Sequence, residues 1–440
     1  MRMTFVLALS VVGLALTGGI PAFARNVPPA VDDAWGDPVS DAGASADQQA
    51  IAAGLAAYKA GDFKEAFRLW SPIAESGNPI AQFDLSALYS KGAGVPQDYT
   101  VAVDWLRKAA DQGLAQAQYN LGLQYDEGKG TPQDHATAAG WYLKAADHGQ
   151  PGAQRNLCLL YYKGEGIPRD YAAAARWCRR AAEQEDAQAQ TVLGVLYEKG
   201  EGLPQDYAIA ADWYRKAADQ GNAEGQFDLG ALYDRGLGVP QDYNTAEGWY
   251  RRAADQGMAE AESNLGLLYE YARGVSQDFA MAESWFRKSA AQNFAIGQFN
   301  LGILYAHGRG VPQDYATAID WYRKAADQGL AEAQYNLGVT YTEGQAVPPD
   351  YAAALTWYRK SADQGFAPAM RNLGVFYANG QGVRRDNVQA YKWLSLAVLM
   401  ATTPDLKDAA EKARAYITAF MTPAQIAEAG KQARAWKAAV

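Results

Sequence analysis

Hydrophobic positions along this chain recur every 36 residues. A tyrosine follows each recurrent leucine by four residues, which places both side chains on one face of an α-helix. A second apolar stretch with a tryptophan and a pair of alanines follows in each period, so the pattern predicts two helices per period, helix A and helix B. The leucines are Leu85, Leu121, Leu157, Leu193, Leu229, Leu265, Leu301, Leu337 and Leu373, and the tryptophans are Trp105, Trp141, Trp177, Trp213, Trp249, Trp285, Trp321, Trp357 and Trp393.

Glycine follows the recurrent leucine in most periods. Inside a helix a glycine costs about 1 kcal/mol relative to alanine, so its recurrence predicts that a second helix approaches closely at this point. The positions are Gly122, Gly194, Gly230, Gly266, Gly302, Gly338 and Gly374.

An aspartate precedes each helix B. Aspartates that recur at one position are compatible with metal or acid chemistry, but an aspartate immediately before an alanine-rich apolar run is a typical N-cap, which stabilises a helix by about 1 kcal/mol. We therefore predict capping. These residues are Asp98, Asp134, Asp170, Asp206, Asp242, Asp278, Asp314, Asp350 and Asp386.

Glycines also mark the ends of the helices, where a left-handed backbone is common. Asn293 and Glu185 each stand where other periods have the glycine after helix B, and Ala346 replaces a glycine of the turn after helix A. Asparagine tolerates the left-handed conformation. We expect looser turns at Glu185 and Ala346 with the period intact.

The tryptophans of helix B allow two interpretations. Aromatic rings in register could stack on a ligand, but their spacing from the alanine pairs predicts that they lie on the buried stripe of the helix. We predict a role in the core.

These residues resemble the Sel-1-like repeat, the 36-residue branch of the tetratricopeptide superfamily. The resemblance rests on the segment from Ala117 to Tyr125, on the Gly128-x-Gly130-x-Pro132-x-Asp134 turn, and on Trp141-Tyr142-x-Lys144-Ala145-Ala146. It implies an all-α fold, a right-handed α/α superhelical solenoid of tetratricopeptide and Sel-1-like helix pairs.

The period and the resemblance divide the chain into five parts. Residues 1–24, with an apolar run followed by a small-x-small triplet, predict a signal peptide, and residues 25–46 predict a flexible acidic leader. Residues 47–78 resemble an ordinary tetratricopeptide unit that caps the array. Residues 79–402 form nine repeats, and residues 403–440 predict two capping helices, with Ile417, Phe420 and Trp436 covering the last repeat.

The net charge of −9 argues against nucleic acid and anionic membrane surfaces as partners, because both attract a clustered positive field. No segment after the signal peptide is long and apolar enough to span a bilayer, so the mature protein is expected to have no integral membrane segment. We predict export, to the periplasm of a Gram-negative bacterium.

Catalytic chemistry has little support. The three histidines, His135, His148 and His307, belong to no hydrolase or metal motif, and the paired glycines are turn residues without a preceding strand. The sequence predicts no catalytic residue, no metal and no cofactor.

Two cysteines, Cys158 and Cys178, lie in the same repeat, where they replace a helix A glycine and a helix B aromatic residue. In an oxidising compartment they could form a disulfide that adds about 3 kcal/mol. Two buried thiols are the alternative, and the resemblance does not decide between them.

The resemblance implies that helix A lines the inner, concave wall, so binding residues are sought there. The residue before the recurrent leucine is often asparagine, which can donate to and accept from a peptide backbone, although an amide bonded to its own neighbouring helix explains it equally well. The residue before that one varies and includes aromatic residues and arginine, which dominate binding hot spots. The candidates are Tyr119, Asn120, Arg155, Asn156, Phe227, Asn264, Phe299, Asn300, Tyr335, Asn336, Arg371 and Asn372.

The leading functional hypothesis is a non-enzymatic scaffold or adaptor of the cell envelope that binds other proteins or extended peptide segments in this groove. A module that binds glycan or peptidoglycan in the envelope is the alternative, since aromatic residues also stack on sugars.

Overall fold

The computed structural model describes residues 46–436, and all regular secondary structure in that range is α-helical. The predicted signal peptide, nearly all of the predicted leader and the last four residues lie outside the described range. The described residues divide into two compact units, one ending at Gln241 and one starting at Asp242.

The first unit contains α1 (Ala46–Lys59), α2 (Phe63–Glu75), α3 (Pro79–Lys91), α4 (Tyr99–Asp111), α5 (Ala115–Glu127), α6 (His135–Asp147), α7 (Pro151–Lys163), α8 (Tyr171–Ala182), α9 (Ala187–Lys199), α10 (Tyr207–Asp219) and α11 (Ala223–Arg235). The second contains α12 (Tyr243–Asp255), α13 (Ala259–Glu270), α14 (Phe279–Ala291), α15 (Ala295–His307), α16 (Tyr315–Asp327), α17 (Ala331–Glu343), α18 (Tyr351–Asp363), α19 (Ala367–Asn379), α20 (Asn387–Met400), α21 (Pro404–Thr418) and α22 (Pro423–Ala435). Within each unit, helices that follow one another in the chain pack together. Positions in a repeat are counted below from its first residue, so that Ala115 is position 1 of the second repeat.

The capping prediction is confirmed at every helix B. The side chain of each of the nine aspartates accepts hydrogen bonds from backbone N–H groups two or three residues later, at 2.9–3.2 Å. These bonds satisfy donors that would otherwise be orphaned at the helix start. The aspartates are therefore structural.

Three of the replaced glycines keep a left-handed backbone. Asn293 has φ 62°, Glu185 has φ 65° and Ala346 has φ 59°. Because a Cβ atom strains this conformation by about 1–2 kcal/mol, Glu185 and Ala346 store strain where the other repeats have glycine.

The glycine of helix A marks the tightest contact within a repeat. A Cβ built on Gly338 would lie 2.5 Å from the ring of Tyr358, and one on Gly194 would lie 2.5 Å from the ring of Tyr214. Both tyrosines are fully buried. Position 8 of helix A is therefore glycine because position 28 of helix B is a large core side chain, as the recurrence of glycine predicted.

The tryptophans pack against the core as predicted, but most of them lie at its edge. Only Trp285 and Trp393 are buried, and the other seven are half-buried. The core residue of helix B is the one after the tryptophan, at position 28, because positions 24, 25, 28, 31 and 32 form the inward stripe and position 27 flanks it. Trp141 packs at this flank against the core of the preceding repeat.

A chain of amide side chains joins neighbouring repeats. Gln190 at position 4 donates through Nε2 to the carbonyl oxygen of Ala182 in the preceding helix B at 3.1 Å and accepts at Oε1 from Gln220 of its own repeat at 2.8 Å. Equivalent position 4 donations come from Gln82, Gln118, Gln154, Gln226 and Gln334. These buried bonds fix the register of one repeat on the next.

Two of the three residues predicted to cover the last repeat pack as expected, and the third does not. Ile417 is 3% exposed, and the ring of Trp436 lies 6.4 Å from that of Trp393. Phe420, however, is 55% exposed, and its ring lies 5.3 Å from that of Tyr416, which is also exposed.

Candidate functional site

The helix A face of each unit is formed by positions 2, 6, 9 and 13 of its repeats, which lie on one side of helix A. Position 5 borders this face. All twelve predicted binding residues stand at positions 5 and 6, so their exposure decides what they can contact.

Eight of the twelve are buried, with 2–8% of their surface exposed. Packing explains the aromatic residues among them: the rings of Tyr119, Phe299 and Tyr335 lie 5.7–5.9 Å from the tyrosine ring at position 28 of the same repeat. Their side chains are part of the core, which the variability of position 5 did not reveal. The buried residues are Tyr119, Asn156, Phe227, Phe299, Asn300, Tyr335, Asn336 and Asn372.

The other four, Asn120, Arg155, Asn264 and Arg371, are half-buried. Arg155 donates from Nη1 to Oδ2 of Asp186 at 3.0 Å. Whether any of the twelve binds a partner stays a prediction, and these four are the ones whose side chains reach the surface.

Amide side chains at position 6 bond mainly within the array. Those of Asn156 and Asn372 hydrogen-bond to buried tyrosine hydroxyls, Asn156 to Tyr142 and Asn372 to Tyr335 and Tyr358. Nδ2 of Asn300 has a long contact of 3.5 Å with Oγ of Ser263. Among the described residues, Nδ2 of Asn264 is inaccessible and has no hydrogen-bond partner.

Two repeats carry aspartate instead of an amide at position 6. Burial raises the pKa of Asp84 well above its usual value, and its Oδ2 has no hydrogen-bond partner in the described chain. Desolvation also raises the pKa of Asp228, as do the neighbouring Glu198 and Glu224, whereas Lys199 opposes them. Both carboxyl groups lie in the first unit, and their burial favours the protonated form.

A histidine–aspartate pair was missed by the sequence analysis. His135 Nδ1 lies 2.6 Å from Asp126 Oδ1, and the Tyr142 hydroxyl donates to Asp126 Oδ2 at 3.2 Å. The pair links position 21 to position 12 of one repeat. The sequence did carry a signal for this pair: a histidine at a position that is tyrosine in most repeats, with an acidic residue nine positions earlier.

The outer side of helix B carries a cation beside each tryptophan. A lysine or arginine charge lies 3.8–4.7 Å from each ring centroid, as for Lys144 over Trp141 and Arg180 over Trp177. An arginine two residues after the tryptophan commonly donates to the tyrosine of the next helix A, as Arg179 does to Tyr197 at 2.6 Å. The cations cover the tryptophan rings within each helix B, and the arginine–tyrosine hydrogen bonds join one repeat to the next.

The two cysteines are joined. A disulfide connects Cys158 at position 8 to Cys178 at position 28, and both are fully buried. These are the positions that hold glycine and a large side chain in other repeats, so their contact explains why the two substitutions occur together.

No group of three or more histidine, cysteine or acidic side chains between residues 46 and 436 is arranged to hold a metal ion. Over the same range, no helix combines the length and apolar character needed to cross a bilayer.

A series of α/α hairpins in which each hairpin packs on its neighbours in the chain defines a helical repeat protein. The Sel1 repeat model matches nine consecutive segments: 79–114, 115–150, 151–186, 187–222, 223–258, 259–294, 295–330, 331–366 and 367–400. The chain belongs to the Sel1 repeat family. Proteins of this family generally act as scaffolds for protein–protein interaction and are typically not enzymes.

Two solved structures extend the match. The protein c5321, a protective antigen of uropathogenic Escherichia coli with an SLR fold, is 34% identical, with 89% of this chain and 91% of that chain covered and a TM-score of 0.60. A Sel1 repeat protein from Oxalobacter formigenes is 33% identical over 70% of this chain and 89% of its own, with a TM-score of 0.54. No curated protein sequence matches the chain.

Proposed function

We propose that the chain is an exported, non-enzymatic scaffold of the cell envelope that binds an extended segment of a partner protein along a helix A face. The observation that carries the proposal is the set of half-buried amide and leucine side chains on the helix A face. Asn120 and Leu123 supply them in the first unit, and Asn264 and Leu267 supply them in the second.

An extended peptide supplies acceptors for such amides. Each of its backbone carbonyl groups is an acceptor, and an amide hydrogen left without an acceptor costs about 1–3 kcal/mol. The Nδ2 of Asn264 is inaccessible in the free chain, so its half-buried side chain would have to turn outward before a partner backbone accepts from it and recovers that free energy on binding. The aliphatic side chains of position 9, such as Leu123 and Leu267, are half-buried beside the amides and offer apolar contact to the side chains of the segment.

The tryptophans do not favour the glycan alternative. A sugar ring stacks on an open aromatic face, whereas a lysine or arginine charge lies 3.8–4.7 Å from the centroid of each helix B tryptophan. A glycan would have to displace these cations, so a protein partner is the better match.

Residues 1–24 support the envelope part of the proposal, because an apolar run of this length followed by Ala22-Phe23-Ala24 is typical of an export signal. An exported acidic scaffold would meet its partners outside the cytoplasm.

A capture experiment tests the proposal. The purified chain is used as bait in an envelope extract and applied in parallel to a glycan array. Asn264→Leu removes a half-buried amide of the helix A face at similar volume, and Leu143→Ala changes a side chain that is 41% exposed on helix B. We expect Asn264→Leu to weaken capture of a protein and Leu143→Ala to leave it unchanged. Glycan binding without protein capture, or loss only in Leu143→Ala, would contradict the proposal.

A further inference from the structure

Position 4 of helix A is glutamine in seven of the nine repeats, and both ends of its amide group are used. In the eighth repeat, Nε2 of Gln334 donates to the carbonyl oxygen of Ala326 in the preceding helix B at 3.1 Å. Oε1 of Gln334 accepts from Nε2 of Gln364, at position 34 of the same repeat, at 2.9 Å. Gln154 and Gln190 form the same two bonds in the third and fourth repeats. Position 4 therefore needs a donor toward the preceding repeat and an acceptor toward its own.

The sixth repeat has a glutamate at this position. Glu262 is 5% exposed, and its Oε2 accepts from Nε2 of Gln292, at position 34, at 2.9 Å. That oxygen thus has the role of Oε1 in the glutamines. Oε1 of Glu262 takes the place of the amide nitrogen, and the corresponding acceptor on α12 is the carbonyl oxygen of Ala254.

Two oxygen atoms cannot form this bond without a hydrogen between them. A carboxylate only accepts, whereas a protonated carboxyl group has one O–H donor. The bond that joins the glutamines to the preceding helix can therefore form at Glu262 only when its carboxyl group carries a proton. Burial makes the alternative, a contact between two acceptors, costly.

Lys288 of α14 is the positive group that acts on Glu262. Burial raises the pKa of Glu262, and the hydrogen bond from Gln292 and the charge of Lys288 oppose the rise. The ammonium group of Lys288 lies 3.8 Å from the ring centroid of Trp285, so it also covers that ring. The net direction favours the protonated carboxyl group.

The helices packed against α13 are α12, α14 and α15, and their other charged groups are engaged elsewhere or lie in solvent. Asp255 on α12 is exposed, and burial lowers the pKa of His307, the last residue of α15, so that it is neutral. On α13 itself, Glu260 is half-buried. The engaged groups are Arg251 with Glu247, Arg287 with Glu283, Glu270 with Arg309, and Arg252 over Trp249.

The raised pKa fixes the direction of the pH dependence. Below about pH 4.5 the carboxyl group is protonated in both the folded and the unfolded chain, and the bond to Ala254 is complete. As the pH rises, the unfolded chain loses its proton first, and the folded chain loses it, together with the bond, at a higher pH. The contact of α12 with α13 is therefore strongest in acid and weakens toward neutral pH.

We propose that Glu262 makes the contact of α12 with α13 a proton-dependent joint. With a proton, the sixth repeat is fixed on the fifth by the same bond that its neighbours use. Without one, that bond is absent and the joint opens more easily, so acid stiffens the array at this place. The inference stands on the contacts of Glu262 and does not depend on the proposed function.

Hydrogen exchange at two pH values tests the proposal, with Glu262→Gln as the variant. At about pH 7.5 the amide hydrogens of α12 and α13 should exchange roughly fivefold more slowly in Glu262→Gln than in the wild type, because the glutamine restores a buried hydrogen bond. At about pH 4.5 the two proteins should exchange alike. Comparison at one pH cancels the intrinsic pH dependence of exchange. A gain of the same size at both pH values, or no gain at either, would overturn the joint.

Gln334→Glu is the matched control, because it places a carboxyl group at the same position of the eighth repeat. The amide hydrogens of α16 and α17 should then exchange faster than in the wild type at about pH 7.5 and nearly alike at about pH 4.5, with α12 and α13 unaffected. Equally faster exchange at both pH values would show that a protonated carboxyl group cannot replace the amide, and would contradict the proposal.

Discussion

The third and ninth repeats use the same positions in opposite ways. In the third, positions 8 and 28 are joined by the Cys158–Cys178 disulfide and Arg155 is paired with Asp186. In the ninth, the same positions hold Gly374 and Leu394 in van der Waals contact, and Arg371 has no carboxylate partner in the described chain. The comparison shows that a few side chains decide whether a repeat is crosslinked by a disulfide and an internal ion pair or is held by packing alone.

The largest expected effect concerns the covalent closure of the third repeat. Cys158→Ser/Cys178→Ser should lower the free energy of unfolding of this repeat by about 3 kcal/mol, because the disulfide restricts the unfolded chain. Native-state hydrogen exchange in α7 and α8 measures the change. Cys158→Gly/Cys178→Tyr, which restores the pair found in other repeats, should recover part of the loss, and unchanged exchange in the serine variant would show that the disulfide adds no stability.

The close contact of the ninth repeat should be intolerant of one added methyl group. A Cβ at position 374 would lie 2.7 Å from Cγ of Leu394, so Gly374→Ala should cost about 2 kcal/mol through overpacking. Gly430 in α22 is the control, because a Cβ there meets only the guanidinium of Arg434 at 3.4 Å. A thermal melt should show a lower Tm for Gly374→Ala and none of that loss for Gly430→Ala; equal losses would show that the helix contact does not explain the glycine.

Backbone strain distinguishes the third repeat further. Glu185 has φ 65° at a position where most repeats have glycine, so Glu185→Gly should stabilise the protein by about 1 kcal/mol. Glu185→Ala keeps the Cβ atom and should give no such gain. A urea unfolding midpoint that rose equally in both variants would point to the lost charge, and not to the backbone, as the cause.

The fold could be predicted well from the sequence because the same packing and capping residues recur in nearly every repeat. Glycine at position 8 and aspartate before helix B, as in Gly338 and Asp350, each have one physical explanation, and the structure confirms both. The tryptophans lie nearer the edge of the core than predicted because position 27 flanks the inward stripe that contains position 28.

The candidate site was harder to predict than the fold. Variation at position 5 suggested a surface, but Phe299 and Tyr335 pack on buried tyrosines, and whether a varying residue is buried depends on its neighbour in space. The hydrogen bonds of Asn372 to Tyr335 and Tyr358 join the ninth repeat to the eighth, and bonds between repeats cannot be inferred from one position of the sequence pattern.

Photo-crosslinking tests the central claim most directly. A benzoylphenylalanine is placed either at Leu123, half-buried at position 9 of a helix A, or at Leu143, exposed on helix B of the same repeat, and the living cells are irradiated. The account predicts crosslinks to one or a few proteins from position 123 and none to those proteins from position 143. Crosslinks to the same proteins from position 143 alone would contradict a helix A binding face.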